Sequence, residues 1–167
     1  METDKIKTWN GCSITFSITI GKNEILEKLT TAGNYTDITK DASEIVNSLR
    51  NEEPEKEQIM DIELIEFKDH PNENDVQNEF KKRGLLFPEN LDALRFGARY
   101  HNMGTLLNNV KRCCVMFPYE VLPDTRIKKR MLAINYHGEN KILSSGGFGT
   151  QCAERWYFAG LRPQKKE

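Results

Sequence analysis

The amino-acid sequence predicts an α+β domain with a mainly antiparallel sheet and helices packed on one face. Three observations carry that reading. First, Ser13-Ile14-Thr15-Phe16-Ser17-Ile18-Thr19-Ile20 alternates polar and apolar residues. A period of two puts Ile14, Phe16, Ile18 and Ile20 on one side of a strand and hydroxyl side chains on the other, as in an antiparallel sheet with one face buried. Such a strand is expected at the centre of the sheet, protected from hydrogen exchange until global unfolding. Second, the middle of the chain is rich in helical patterns. Third, short apolar runs bounded by turn residues fill the last third. The order is strand, helix, strand, two helices, then three or four strands, which is segregated rather than alternating as in βαβ units.

Each element has its own justification. Gly21-Lys22-Asn23 is a turn, and Asn23 is a cap for a helix over Glu24–Thr31 with acids in its first turn and Ile25, Leu26 and Leu29 as its stripe. Gly33 is the expected left-handed C-cap. Asp41 or Ser43 caps a second helix through Ile45, Val46 and Leu49. The charged connection Asn51–Glu57 leads to a strand over Ile59–Phe67, with Met60, Ile62 and Leu64 inward and Asp61 and Glu63 outward. Asn74 caps a helix over Asp75–Arg83 that Gly84 stops, and Pro88 opens another running from Glu89 to about Tyr100, with Leu91, Leu94, Phe96 and Ala98 on its buried side. Cys113–Phe117, Arg130–Tyr136 and Trp156–Leu161 read as strands. The turn His137–Asn140 returns the second of these into a hairpin partner at Lys141–Leu143.

The chain, 167 residues long, is expected to form a single domain over 1–167, with frayed ends at 1–10 and 163–167. A chain of this length buries roughly 70% of its unfolded surface and needs neither metal nor disulfide to fold. Its 24 basic and 25 acidic side chains leave a net charge of −1, so no global field attracts nucleic acid or an anionic membrane. No apolar run approaches about 18 residues, which predicts no membrane span, and Met1–Lys7 holds no apolar core of a signal peptide. A cytoplasmic location is expected. Cys12, Cys113, Cys114 and Cys152 form no C-x-x-C pair, and the expectation is reduced, buried thiols rather than a zinc site.

Three stretches carry a resemblance. A strand is followed by a helix ending in Ala32-Gly33-Asn34-Tyr35. Lys82-Arg83-Gly84-Leu85 forms a helix exit, and the next helix ends in Gly97-Ala98-Arg99-Tyr100. A C-terminal aromatic strand runs Tyr157-Phe158-Ala159-Gly160-Leu161-Arg162. In order and spacing, about residues 12 to 163 resemble a family of small uncharacterised bacterial proteins common in candidate-phylum genomes. The chain departs from that pattern after Tyr35, where Thr36-Asp37 stands in place of an Asp-Trp pair. The resemblance implies a shared α+β fold and carries no activity.

Candidate chemistry is sparse. Ser144-Ser145-Gly146-Gly147-Phe148-Gly149-Thr150 is a glycine-rich stretch able to bring backbone N–H groups to an anion. It lacks the lysine of a Walker loop and a following helix, so the plain alternative is a connection before the last strand. Any site is expected where this loop meets His137-Gly138, with His137 and Arg155 nearest to an anion. His70, His101 and His137 show no metal-ligand spacing, and Tyr100-His101 and Tyr136-His137 are candidates to converge. Arg126, Lys128, Lys129 and Arg130 form the dense basic cluster, to which Lys81–Arg83 and Lys111-Arg112 add if they share a face. No aromatic residue interrupts the cluster, so the stacking needed for single-stranded nucleic acid is weak and a solvated loop is the plainer reading. The leading expectation is a non-enzymatic interaction or structural module with an unknown partner, of which protein is one class, and with no cofactor or metal. The alternatives are a nucleic-acid-associated factor using the basic loop, and a Cys–His hydrolase pairing Cys152 with His101 or His137.

Overall fold

The alternating N-terminal segment forms β1 (Ser13–Ile20), with Ile14, Phe16, Ile18 and Ile20 all buried. The computed structural model describes residues 13–21, 24–51, 56–67, 71–107, 110–118, 130–148 and 155–164. The candidates Asn23, His70, Cys12, Cys152, Arg126, Lys128, Lys129, Gly149 and Thr150 lie outside the described residues. The other strands are β2 (Asp37–Ile38), β3 (Gln58–Phe67), β4 (Arg112–Phe117), β5 (Met131–His137), β6 (Asn140–Gly146) and β7 (Arg155–Arg162). They form one sheet in the order β1-β3-β7-β4-β5-β6-β2.

That sheet is mixed, which corrects the expectation of a mainly antiparallel one. β1–β3, β3–β7, β4–β5 and β5–β6 are antiparallel, whereas β4–β7 and β2–β6 are parallel. The physical reason lies in β7. The last strand enters the middle of the sheet, antiparallel to β3 on one side and parallel to β4 on the other. Its run Trp156–Leu161 is buried throughout, the continuous apolar pattern of a strand covered on both faces. β1, by contrast, pairs only with β3 among the described strands, so it stands at the sheet's edge and not at its centre. The Tyr100 hydroxyl donates to the Ser17 carbonyl at 2.6 Å and so occupies one backbone acceptor of that edge strand.

Helices cover both faces, not one. α1 (Leu26–Ala32), α2 (Lys40–Ser48), α4 (Asn90–Arg99) and α5 (Met103–Leu106) lie with the larger core, built on Ile14, Phe16, Ile62, Leu64, Phe117, Ile134 and Tyr157. α3 (Glu73–Arg83) packs Val76 and Phe80 on the opposite face against Ile65, Met116 and Phe158. This second layer is why Glu63, expected outward on β3, is only 1% exposed. Its carboxylate pairs with Arg83 of α3 at 2.7 Å and Arg162 of β7 at 2.6 Å.

Helix boundaries follow capping chemistry at neighbouring residues. Thr39 caps α2 by accepting from the Ala42 N–H at 3.3 Å. Asn72 and Asp75 form a reciprocal capping box at α3, two residues earlier than the predicted Asn74 cap, and Gly84 ends that helix at φ 67° as expected. α4 is buried almost all round, including Asp92 and Arg95, because it sits between the sheet and α1. The Arg95 guanidinium pairs with Glu24 at 2.7 Å and Asp92 at 2.8 Å, all three side chains being nearly inaccessible.

Candidate functional site

The β5–β6 hairpin organises both polar clusters that bear on function. Its turn places Gly138 at φ 59°, and the register sets Tyr136 opposite Lys141, Asn135 opposite Ile142 and Ala133 opposite Ser144. Alternation along the strands sends Tyr136, Lys141 and Leu143 under the helices and turns Asn135, His137, Ile142 and Ser144 to the other face.

The buried cluster centres on Lys141, which is 3% exposed. Its ammonium donates to the Gly33 carbonyl at 2.7 Å, just past the end of α1, and to the Gly97 carbonyl in the last turn of α4. It also lies 3.4 Å from His101 Nδ1 and 4.8 Å from the Tyr35 ring centroid. A cation on the last carbonyls of two helices complements both dipoles. Burial pushes the Lys141 pKa down to about 8, and burial likewise raises those of Tyr35 and Tyr136. Gly33 is therefore not the left-handed cap: it is helical at φ −61°, and Asn34 takes the positive φ of 49°. Glycine is required there for space. A Cβ on Gly33 would come 2.2 Å from the Tyr35 ring, and one on Gly97 would come 1.9 Å from the Tyr35 hydroxyl oxygen.

The motifs behind the family resemblance thus meet in pairs. Ala32–Tyr35 and Gly97–Tyr100 converge on Lys141. Arg83 and Leu85 meet Gly160 and Arg162 beside Glu63, where a Cβ on Gly160 would lie 2.8 Å from Leu85. Thr36, at the point of departure from the pattern, bonds the Lys141 backbone twice, through its N–H at 2.7 Å and its hydroxyl oxygen at 3.1 Å.

The second cluster is open. On the face of β4, β5 and β6 away from Lys141, a concavity of about 450 Å³ is lined by Arg112 and Cys113, by Asn135 to His137, and by Ile142, Ser144 and Ser145, with Thr39 at its margin. Arg112 donates through Nε to His137 Nε2 at 3.0 Å. A neutral ring accepting at Nε2 carries its proton on Nδ1. Asn135 donates to Ser144 Oγ at 2.6 Å, which holds the floor between the two strands. The Cys113 thiol is held protonated, its pKa pushed up to about 12 by burial.

The predicted site residues distribute unevenly. His137, Ser144 and Ser145 share the concavity, but Ser144–Gly146 are paired residues of β6 rather than a loop. Ladder bonds to β5 hold this stretch, with Met131 opposite Gly146, so it is not free to wrap an anion with its amides. Gly147 follows the strand end. Arg155 begins β7, exposed, 3.6 Å from Glu66 and outside the concavity. Arg130, the described member of the basic cluster, pairs with Asp41 at 2.9 Å on the surface. The Tyr100 and Tyr136 segments do converge, since the Tyr136 hydroxyl donates to the Tyr100 carbonyl at 2.9 Å. Their histidines do not, because His101 sits beside Lys141 and His137 beside Arg112. Sequence reasoning placed Arg112 only in a diffuse basic patch and missed Lys141, Asn135 and Thr39 as site residues. A lysine one residue before Ile142-Leu143, in phase with the buried Leu143, was the available signal for Lys141.

Among the described residues no group of three or more His, Cys, Asp or Glu is placed to hold a metal ion, and no described helix is long and apolar enough to cross a membrane. No family model, curated protein or solved structure matches the chain.

Proposed function

We propose that this protein is a non-catalytic binding module whose site is the concavity on the open face of β4, β5 and β6. The observation that carries the reading is the contrast in cover. α3 packs over the β3, β7 and β4 part of that face, and the hairpin end is left as a hollow of about 450 Å³, within the usual range for a small-molecule site. Its walls hold donors on paired strands, a rigid setting that favours recognition. The neighbouring thiol of Cys113 is protonated and buried in the helix-covered core, which favours binding over nucleophilic turnover. The shared family motifs support a common fold with the bacterial group that the sequence resembles, since each lies at a packing contact. Cys113 and Cys114, buried and in no disulfide, support a reducing, cytoplasmic setting.

Two measurements test this. A fragment screen read by backbone amide shifts is expected to concentrate its hits at Thr39, Arg112, Asn135, His137 and Ser145; hits spread over other surfaces would overturn the site. Iodoacetamide at mildly acidic pH is expected to leave the thiols of the folded protein unmodified, and rapid labelling of Cys152 would favour the Cys–His hydrolase reading instead.

A further inference from the structure

We infer that the concavity is an oxyanion site, taking a ligand that carries a carboxylate or phosphate group on an apolar body. The inference rests on the binding-module reading and adds the chemistry of the ligand.

The argument starts from unspent donors. Arg112 uses Nε on His137. Among the described residues its two terminal nitrogens have no partner, and no carboxylate lines the hollow to neutralise it. A guanidinium with both terminal nitrogens free presents the parallel donors that match a carboxylate or phosphate edge. The bond to His137 fixes the plane of the fork and leaves His137 Nδ1 as a second donor. Thr39 Oγ1 accepts the Ala42 N–H, and its own O–H proton remains to give. Asn135 and Ser144, by comparison, are committed to each other and to the Ala133 carbonyl, so they shape the wall rather than read the ligand.

The rest of the lining sets the ligand's body. Ile142 is the apolar side chain that this face turns to the hollow, and the exposed wall is mostly apolar. A bare inorganic ion leaves that wall in water, whereas an aryl or alkyl group covers it and adds its burial to the charge contact. An organic oxyanion therefore binds more tightly than phosphate alone.

The test titrates the full chain with phenyl phosphate, benzoate, benzyl alcohol and inorganic phosphate, followed by amide shifts. Phenyl phosphate and benzoate are expected to produce saturable shifts at Thr39, Asn135, His137 and Ser145, with inorganic phosphate weaker at the same amides. Arg112→Gln is expected to lower the affinity for phenyl phosphate about tenfold, the loss of one charge-assisted contact. An unchanged amide spectrum elsewhere shows that the variant folds. Benzyl alcohol shifting these amides as strongly as benzoate would overturn the oxyanion assignment and leave the binding site standing. Shifts from none of the four probes at these amides would overturn both.

Discussion

The two faces of the sheet around the β5–β6 hairpin hold cations of opposite fate. Under the helices, Lys141 is enclosed and bonded to two helix-end carbonyls, and Arg95 is enclosed between Glu24 and Asp92. On the open face, Arg112 is exposed and spends one nitrogen on His137. A buried charge must be fully partnered or it costs several kcal/mol. An exposed one is hydrated and bears no such demand, so it keeps its donors for a ligand. Saturated cations here build the fold, and Arg112, left unsaturated, is the donor on which the proposed site rests.

The sharpest way to break that comparison is Arg95→Met. It leaves the Glu24 and Asp92 carboxylates buried without their cation, and a loss of about 3–5 kcal/mol in urea unfolding is expected. A loss below about 1 kcal/mol would show that water reaches the pair and that the covered face is not dry.

Lys141→Ala comes next, at about 2–4 kcal/mol, combining the lost stem with two unpaired carbonyls. A pH series sharpens it. With a folded pKa of about 8 against the ordinary 10.5, both folded and unfolded chains carry the proton below pH 8. Between these values the folded protein releases it and the unfolded chain keeps it, so stability from this group rises with pH. The wild-type stability minus that of Lys141→Met is therefore expected to grow from about pH 8 to about pH 10. A flat difference would show that the carbonyl bonds outweigh burial and hold the ammonium charged.

Gly97→Ala is expected to cost about 1–3 kcal/mol through collision with Tyr35. The same change made in a Tyr35→Phe background is expected to cost less, because the colliding oxygen is gone; equal costs would place the strain on the ring carbon Cζ, 2.9 Å from the new Cβ, and on Ile134 Cδ1 at 3.2 Å. At the small end, Arg112→Gln is expected to change stability by no more than about 0.5 kcal/mol. A larger loss would make Arg112 a structural residue and end the contrast between the faces.

Local pattern made much of this legible. The alternation at Ser13–Ile20 defined β1 to the residue, Gly84 marked the end of α3, and the apolar runs in the last third became β4, β5 and β7. The turn at His137–Asn140 pointed to the hairpin, because glycine chemistry and strand period are properties of a few consecutive residues. What escaped was everything that depends on which strands are neighbours. Inserting β7 between β3 and β4 made the sheet mixed, moved β1 to an edge, and buried Glu63 beneath α3.

The same division holds for the site. His137 and Ser144 stand a few residues apart across a turn, so their shared face follows from the hairpin alone. Arg112 reaches them only because β4 pairs with β5 across a long separation in sequence, and Thr39 only because β2 docks parallel to β6. By itself, then, the sequence determined most strands, helices and turns, though not β2 or α5, since most such elements rest on periodicity, capping and glycine chemistry within short windows. The tertiary structure alone decided strand order, the two-sided helix cover, and which cations are enclosed and which are left free, because long-range pairing and burial are set by the packing of the whole chain and leave no local signature.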